Sequence, residues 1–476
     1  MNIGETVTHP QYGAGTITAL FRNGQEWMVR FDSGLRFRRP RREFEGQQET
    51  MSTAPTALTP TLNALKEVNG AAQLHFKPMT PDQFSARSLI EALRVGVAPA
   101  QHIRELTIGL GDEQKRLAAG LNQAHSQGGA AFAVIGDYGF GKSHIVELTA
   151  REALDRNFLV AAISLDLQEL PPHRSFSIYA GLMHSLRYPD TDERGMGPLL
   201  QRAAERPAIA EQMRDLTGES MDPLQFGLQA LSNTNATRQQ QAWTEWLMGG
   251  RRVTTMNRAM PRGVKFPSIY KVGHNERQIA YLLNGVSVLA RLSGYSGLAI
   301  LLDEAESYSL LHAYQRPKAG RFFSAVIYSA LQARQNQIDP DEFRQHRYRA
   351  YPLAYTAKQS LFFLFTITRS DNQMPLDEWL TVEQILDLEP HQTPQEIGHF
   401  LERVMGYHAQ AYGYEIGERQ RQIRRGAAEH VALGMRNARL SIRGAVRLGV
   451  ELFDLLYLYP EYETALLLDE LRNTVR

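Results

Sequence analysis

One octapeptide constrains this chain more than any other stretch: Gly136-Asp137-Tyr138-Gly139-Phe140-Gly141-Lys142-Ser143, set between an apolar run at 130–135 and a helix-patterned run at 144–153. The order this predicts is strand, glycine loop, helix. Each fixed position of the Gly-x-x-x-x-Gly-Lys-Ser pattern has a physical task. Glycines carry no Cβ, so backbone N–H groups can close around phosphates; Lys142 would reach the β- and γ-phosphates and Ser143 would ligate Mg²⁺. The alternative is an ordinary glycine-rich turn with a surface lysine, and the flanking strand and helix patterns weigh against it.

A phosphate loop needs an acidic partner, so the next requirement is a later buried strand that ends in carboxylates. Leu298-Ala299-Ile300-Leu301-Leu302 is a continuous apolar run, the pattern of a central parallel strand covered on both faces, and it ends in Asp303-Glu304. The expected arrangement puts this strand beside the glycine-loop strand, with Asp303 holding Mg²⁺ through water and Glu304 polarising the attacking water. The competing account is a helix whose first turn carries acids for dipole reasons, as Glu304 and Glu306 would.

The chain has 476 residues, 43% of them hydrophobic, which suffices for two or three domains with a sizeable core. Lys and Arg number 52 against 51 Asp and Glu, so any basic surface is local. There is no cysteine, which excludes disulfides and thiolate zinc sites and suits a reducing cytoplasm. The start, Met-Asn-Ile-Gly-Glu, lacks a basic region followed by an apolar core, and no apolar run is long enough to cross a membrane. The expectation is a soluble cytoplasmic protein without membrane contact.

Residues 1–45 read as a small all-β barrel of short strands at 6–7, 15–20, 27–31 and 35–37, separated by Gly, Asn-Gly and Asp-Ser-Gly turns. Its pattern, His9-Pro10-Gln11-Tyr12-Gly13-Ala14-Gly15 followed by Val29-Arg30-Phe31-Asp32-Ser33-Gly34, resembles SH3/Tudor-like modules of the CarD type, which mostly bind proteins. The string Arg36, Arg38, Arg39, Arg41, Arg42 suits either phosphates or a charged strand edge that discourages pairing. Residues 46–75 are rich in Gln, Thr, Ser, Ala and Pro without an apolar periodicity, and read as a flexible linker. Helical patterns at 84–93 and 112–126 follow, and a second buried strand at 158–166 with its helix at 177–186 gives the rhythm of a parallel sheet. The segment 195–290 reads as a helical insertion, with the basic stretch 251–262 open to DNA, a neighbouring subunit or plain solvent. A further buried strand at 360–368 ends in hydroxyls, and helices fill 395–412, 417–434 and 441–458.

The combination of Ala86-Arg87, Ile90-Glu91-Ala92-Leu93-Arg94-Val95-Gly96-Val97-Ala98-Pro99, Ile108-Gly109, the glycine loop with its Lys142-Ser143-His144 ending, and Gly294-Tyr295-Ser296-Gly297-Leu298 running into Asp303-Glu304-Ala305-Glu306 resembles the ATP-binding proteins of BREX and related bacterial anti-phage islands. The resemblance covers roughly residues 80–460 and leaves the amino-terminal module outside. It implies an AAA-like α/β core over 76–390 and a helical lid over 391–476, with ATP and Mg²⁺ as cofactors and a homo-oligomer as the assembly. It further implies a role in a multi-protein defence complex with helicase, nuclease or methyltransferase partners acting on DNA.

At the level of residues, the resemblance implies that the whole loop 136–143 together with His144 and Gly109 binds nucleotide, Gly109 from a wall of the adenine pocket. Thr368, with Thr366 as second choice, would help place the attacking water. Arg443, at the start of a lid helix, would contact the γ-phosphate, although Arg439 and Arg447 lie close by. Arg369 is open to a phosphate of its own or a neighbouring subunit. Two functions fit: an ATPase that remodels a complex, and a nucleotide-dependent scaffold with negligible turnover. A self-sufficient helicase is disfavoured, because no second motor domain is visible.

Overall fold

A computed structural model of the chain describes residues 5–9, 13–21, 26–31, 36–40, 79–217, 223–234, 237–250, 269, 276–332, 338–343, 351–355, 359–369, 373–389, 392–437, 439–461 and 463–475. It divides into two compact units, Met1–Pro78 and Met79–Arg476. The linker expected at 46–75, the basic stretch 251–262, and Arg41 and Arg42 lie outside the described residues.

In the first unit, β1 (Thr6–His9), β2 (Gly13–Phe21), β3 (Glu26–Phe31) and β4 (Arg36–Pro40) pair antiparallel in sequence order. Val7, Ile17, Trp27 and Val29 form its small core, and a register shift between Ile17 and Ala19 marks a bulge in β2. Among the described residues these four strands form one antiparallel sheet, the small all-β unit expected at the amino-terminal end. Arg36, Arg38 and Arg39 lie on β4.

The second unit begins with α1 (Pro81–Arg94) and α2 (Gly111–Gln127), then β5 (Gly129–Gly136) and α3 (Lys142–Asp155). Next come β6 (Phe158–Ser164) and α4 (Ser175–Ser185), followed by four short helices, α5 (Gly197–Ala204), α6 (Pro207–Thr217), α7 (Pro223–Ser232) and α8 (Thr237–Leu247). After α9 (Glu276–Leu292) the chain enters β7 (Gly297–Asp303), α10 (Arg316–Leu331), β8 (Leu361–Thr368), α11 (Leu376–Trp379) and β9 (Ile385–Leu388). It closes with α12 (Pro394–Tyr412), α13 (Glu418–Arg436), α14 (Ile442–Leu458) and α15 (Thr464–Val475).

The five strands form one parallel sheet in the order β6-β7-β8-β5-β9. The acidic strand β7 is therefore not the neighbour of the loop strand β5 that the sequence led us to expect; β8 lies between them. Hydrophobic character predicts that both are interior strands, but it carries no information about which strand pairs with which. Every side chain of β8 is buried, and the pleat sends alternate residues to opposite faces. Phe363, Phe365 and Ile367 join the core beneath α4, α9, α10 and the insertion helices, while Phe362 and Leu364 join the core beneath α2 and α3.

A third core is mostly helical and takes in Leu106 and Ile108 of the segment 95–110. Leu89, Ile90 and Leu93 of α1 pack with Phe400 and Val404 of α12, Val431 of α13, Val450 and Phe453 of α14, and Leu467 of α15. α1 thus belongs with the carboxyl-terminal helices rather than with the sheet domain in which its sequence position placed it. An apolar stripe declares that a helix has a partner without saying which. Arg94 anchors the contact by donating to the Asp454 carboxylate, which also accepts from His408 Nε2 at 3.0 Å.

Candidate functional site

The parallel register brings the strand ends Ser164, Asp303, Thr368 and Gly136 to one edge of the sheet. Beyond β5 the loop turns through Gly139 at φ +86° and Gly141 at φ +92°, both in the left-handed region that glycine enters without a Cβ penalty. A Cβ on Gly139 would also come within 2.9 Å of Ser441 Cβ, so the tip of the loop lies against the start of α14. Lys142 opens α3, and its ammonium donates to the carbonyls of Gly136 at 3.0 Å and Asp137 at 3.2 Å. The lysine is buried while Ser143 beside it is exposed.

At the end of β7, Asp303 Oδ1 accepts from the Glu304 amide at 3.0 Å and from the Thr366 hydroxyl. Glu304 adopts φ +58°, a left-handed conformation that costs a residue with a side chain about 1–2 kcal/mol. Here it turns the chain sharply enough for Asp303 to accept from the next amide. Glu304 Oε2 accepts from Ser164 Oγ at 2.9 Å. Thr368, the first-choice hydroxyl, donates to Glu306 Oε1 at 2.7 Å, whereas Thr366, the second choice, reaches Asp303. Glu306 Oε2 is buried without a hydrogen-bond partner.

Lys142, Ser143, Asp303, Glu304 and Glu306 border a cavity of about 410 Å³, within the usual range for small-molecule sites. Its polar end holds Lys142, Ser143, Asp303, Glu304, Glu306 and Arg443. Its apolar end is walled by Val97, Ala98, Ile103, Leu106, Ile108 and Phe400. One compartment therefore offers cation, hydroxyl and carboxylates on one side and a hydrocarbon slot on the other. The Ser143 hydroxyl and the Asp303 carboxylate are hard oxygen donors, the set that suits Mg²⁺ with water completing its shell. Among the described residues no group of three or more His, Asp or Glu side chains forms a separate metal site, and no helix is long and apolar enough to cross a membrane.

Arg443 reaches the cavity from α14, whose N-cap Ser441 accepts from the Gly444 amide at 3.1 Å. Its guanidinium donates to Tyr138 Oη at 2.9 Å and lies 5.4 Å from the centre of that ring. Gly96, at φ +77°, lets the arginine stem pass: a Cβ there would lie 2.4 Å from Arg443 Cγ. Tyr138, Gly139 and Gly141 border the cavity too, while Gly136, Asp137 and Phe140 complete the loop behind it. Gly109, at φ +69°, sits between the cavity-lining Ile108 and Leu110 and faces Gln392 instead of the cavity. Arg369 pairs with Asp387 of β9 and approaches Asp137 at 3.8 Å, so its charge is engaged at the sheet edge.

His144 lines the cavity, next to Ser143 in the chain and against Thr107 of the segment that carries much of the apolar wall. Its Nε2 lies 2.9 Å from Thr107 Oγ1, and because that hydroxyl already donates to the Ile103 carbonyl at 2.7 Å, the network assigns the imidazole Nε2–H as donor. Burial pushes the imidazole pKa down to about 4, so the ring is neutral near pH 7. Glu306, which lines the cavity, and Ser164 and Thr107, which hydrogen-bond to lining residues, are groups that sequence reasoning did not single out as functional. Ser164 alone carries a readable signal, a hydroxyl at the end of a buried strand.

No curated protein matches the chain significantly. Among solved structures the chain is similar to the Thermotoga maritima RuvB Holliday junction branch migration motor, at 14% identity over 77% of this chain and 69% of that one, with a TM-score of 0.30. So low a score carries no argument. Residues 82–222, the stretch that contains the loop 136–143, the helix after it and both halves of the Thr107–His144 pair, match the model of the family described as BREX system ATP-binding protein BrxC/D.

Proposed function

We propose that this chain binds ATP with Mg²⁺ and hydrolyses it as one component of a bacterial anti-phage defence system. The observation that carries the reading is the meeting of Lys142, Ser143, Asp303, Glu304 and Arg443 around a single cavity whose far end is apolar. Triphosphate chemistry asks the protein for position and charge rather than for covalent steps. The ammonium of Lys142 is released from the loop carbonyls to the β- and γ-phosphates, and Ser143 and Asp303 hold the metal, which neutralises developing charge when bound. Glu304 orients and deprotonates water, with Thr366 fixing Asp303 and Thr368 fixing Glu306 behind it. Arg443 leaves Tyr138 for the γ-phosphate, so that α14 senses whether ATP or ADP is present.

The family match over 82–222 supports membership of a BREX-type assembly. In that setting turnover remodels a homo-oligomer and its helicase, nuclease or methyltransferase partners on DNA, and the amino-terminal sheet serves as a Tudor-like docking module. The test is steady-state phosphate release by the purified chain, alone and with DNA and partner proteins. Release that depends on Lys142 and Glu304 is the expected result; no release under any condition would remove the hydrolase assignment.

A second reading, a nucleotide-dependent scaffold with negligible turnover, is favoured by one contact. The Ser164 hydroxyl occupies Glu304 Oε2, an oxygen that a base would need open to water. Tight ATP binding without phosphate release would select this reading.

A further inference from the structure

The segment between α1 and α2, residues 95–110, is a strap that supplies much of the cavity's apolar wall through Val97, Ala98, Ile103, Leu106 and Ile108. It has no sheet or long helix of its own to hold it, apart from a single 3-10 turn at Ala100–His102. Leu106 and Ile108 are buried in the helical core, His102 packs edge-on against Tyr407 of α12 with its Nδ1 3.3 Å from Tyr407 Oη, and three further side-chain contacts tie the strap down. Arg104 pairs with Glu152 and Asp155 at the far end of α3, with the arginine side chain half exposed. Glu105 accepts from Tyr407 of α12, also in an exposed setting. The third is Thr107 with His144. Exposed ion pairs contribute little to position, because water competes for both partners. The Thr107–His144 contact is half-buried, joined in series to the Ile103 carbonyl, and less exposed than the Arg104 link to α3, so it sets where the strap sits relative to the first turn of that helix.

From this geometry we infer that His144 is a positioning residue: through Thr107 it holds the strap at the distance from the phosphate loop that a nucleoside triphosphate requires, and so determines affinity for the base. Its chain position makes the coupling direct. His144 follows Ser143, the residue that faces the phosphates, so the base wall is fastened one residue from the phosphate grip. The inference rests on the nucleotide reading of this cavity and adds to it a division of labour: the ring acts on the base end through Thr107 and leaves the phosphate end alone.

Calorimetric titration of the full chain with MgATP and with magnesium tripolyphosphate, which has phosphates and no base, separates the two ends. His144→Ala and Thr107→Val are each expected to weaken MgATP by about tenfold, the usual consequence of losing one half-buried hydrogen bond, with tripolyphosphate affinity unchanged. The double variant should be no weaker than either single one, since both remove the same link. His144→Gln, whose side-chain amide places an N–H close to the position of Nε2, should recover most of the ATP affinity. Thr107→Val preserves side-chain shape and carries the test if His144→Ala reduces the yield of folded protein. Equal losses for ATP and tripolyphosphate, or additive losses in the double variant, would overturn the inference while leaving the nucleotide reading intact. Wild-type protein that bound neither probe would overturn both.

Discussion

The two ends of the cavity are built on different principles. The phosphate end is carried by the carboxyl termini of β5, β7 and β8, strands buried on both faces in a sheet covered by helices on each side. The apolar end is carried by the strap 95–110 and by α12, which belong to a separate, mostly helical core, and α14 of the same core adds Arg443 to the polar end. On the proposed function, the reacting groups would sit on strand ends buried in the sheet, and the contacts that report on the ligand on a body with its own core.

The largest expected effect tests the phosphate end. Glu304→Gln should lower phosphate release by about 10²–10⁴-fold, the usual contribution of a general base, while MgATP still binds. Release at the wild-type rate would remove Glu304 from the reaction. Next come the cores themselves: Phe363 in β8 and Phe453 in α14 are both fully buried, and truncation of either to alanine should cost about 3–5 kcal/mol in denaturant unfolding. Hydrogen exchange distinguishes them. Phe453→Ala should expose amides over 394–475 while the strands keep their protection, and loss of protection in both places together would show one cooperative core instead of two.

Smaller effects probe the junction. Arg443→Ala removes a charge-assisted contact and should weaken ATP by about tenfold relative to ADP, measured by competition titration. An unchanged ATP-to-ADP ratio would mean that α14 does not sense the γ-phosphate. Ser164→Ala frees the Glu304 carboxylate from one ordinary hydrogen bond and should raise turnover by about fivefold. A fall in turnover would assign the serine to positioning the acid rather than restraining it.

The two ends also differ in how legible they were. The apolar runs at 130–135, 298–302 and 360–368 announced β5, β7 and β8, and the glycine pattern announced the turn between β5 and α3, because these features follow from local chemistry. That β8 separates β5 from β7 was hidden, since pairing is decided by tertiary packing. β9 was missed as well: Ile385–Leu388 is four residues long and Asp387 interrupts its apolar character. At the site, Lys142, Ser143, Asp303 and Glu304 carry a spacing that names their chemistry. Thr107 carries none, and its role is set by a histidine 37 residues away in sequence. Glu306 looks like any acid in a first helical turn until Thr368 is found donating to it.

The central claim is that Lys142, reaching from the loop, and the carboxylates at the end of β7 grip one and the same triphosphate. Equilibrium binding of MgATP to wild-type chain and to Lys142→Ala tests it most directly. One nucleotide bound per chain, with binding lost in the variant, is the result predicted; equal binding by both proteins would contradict the account.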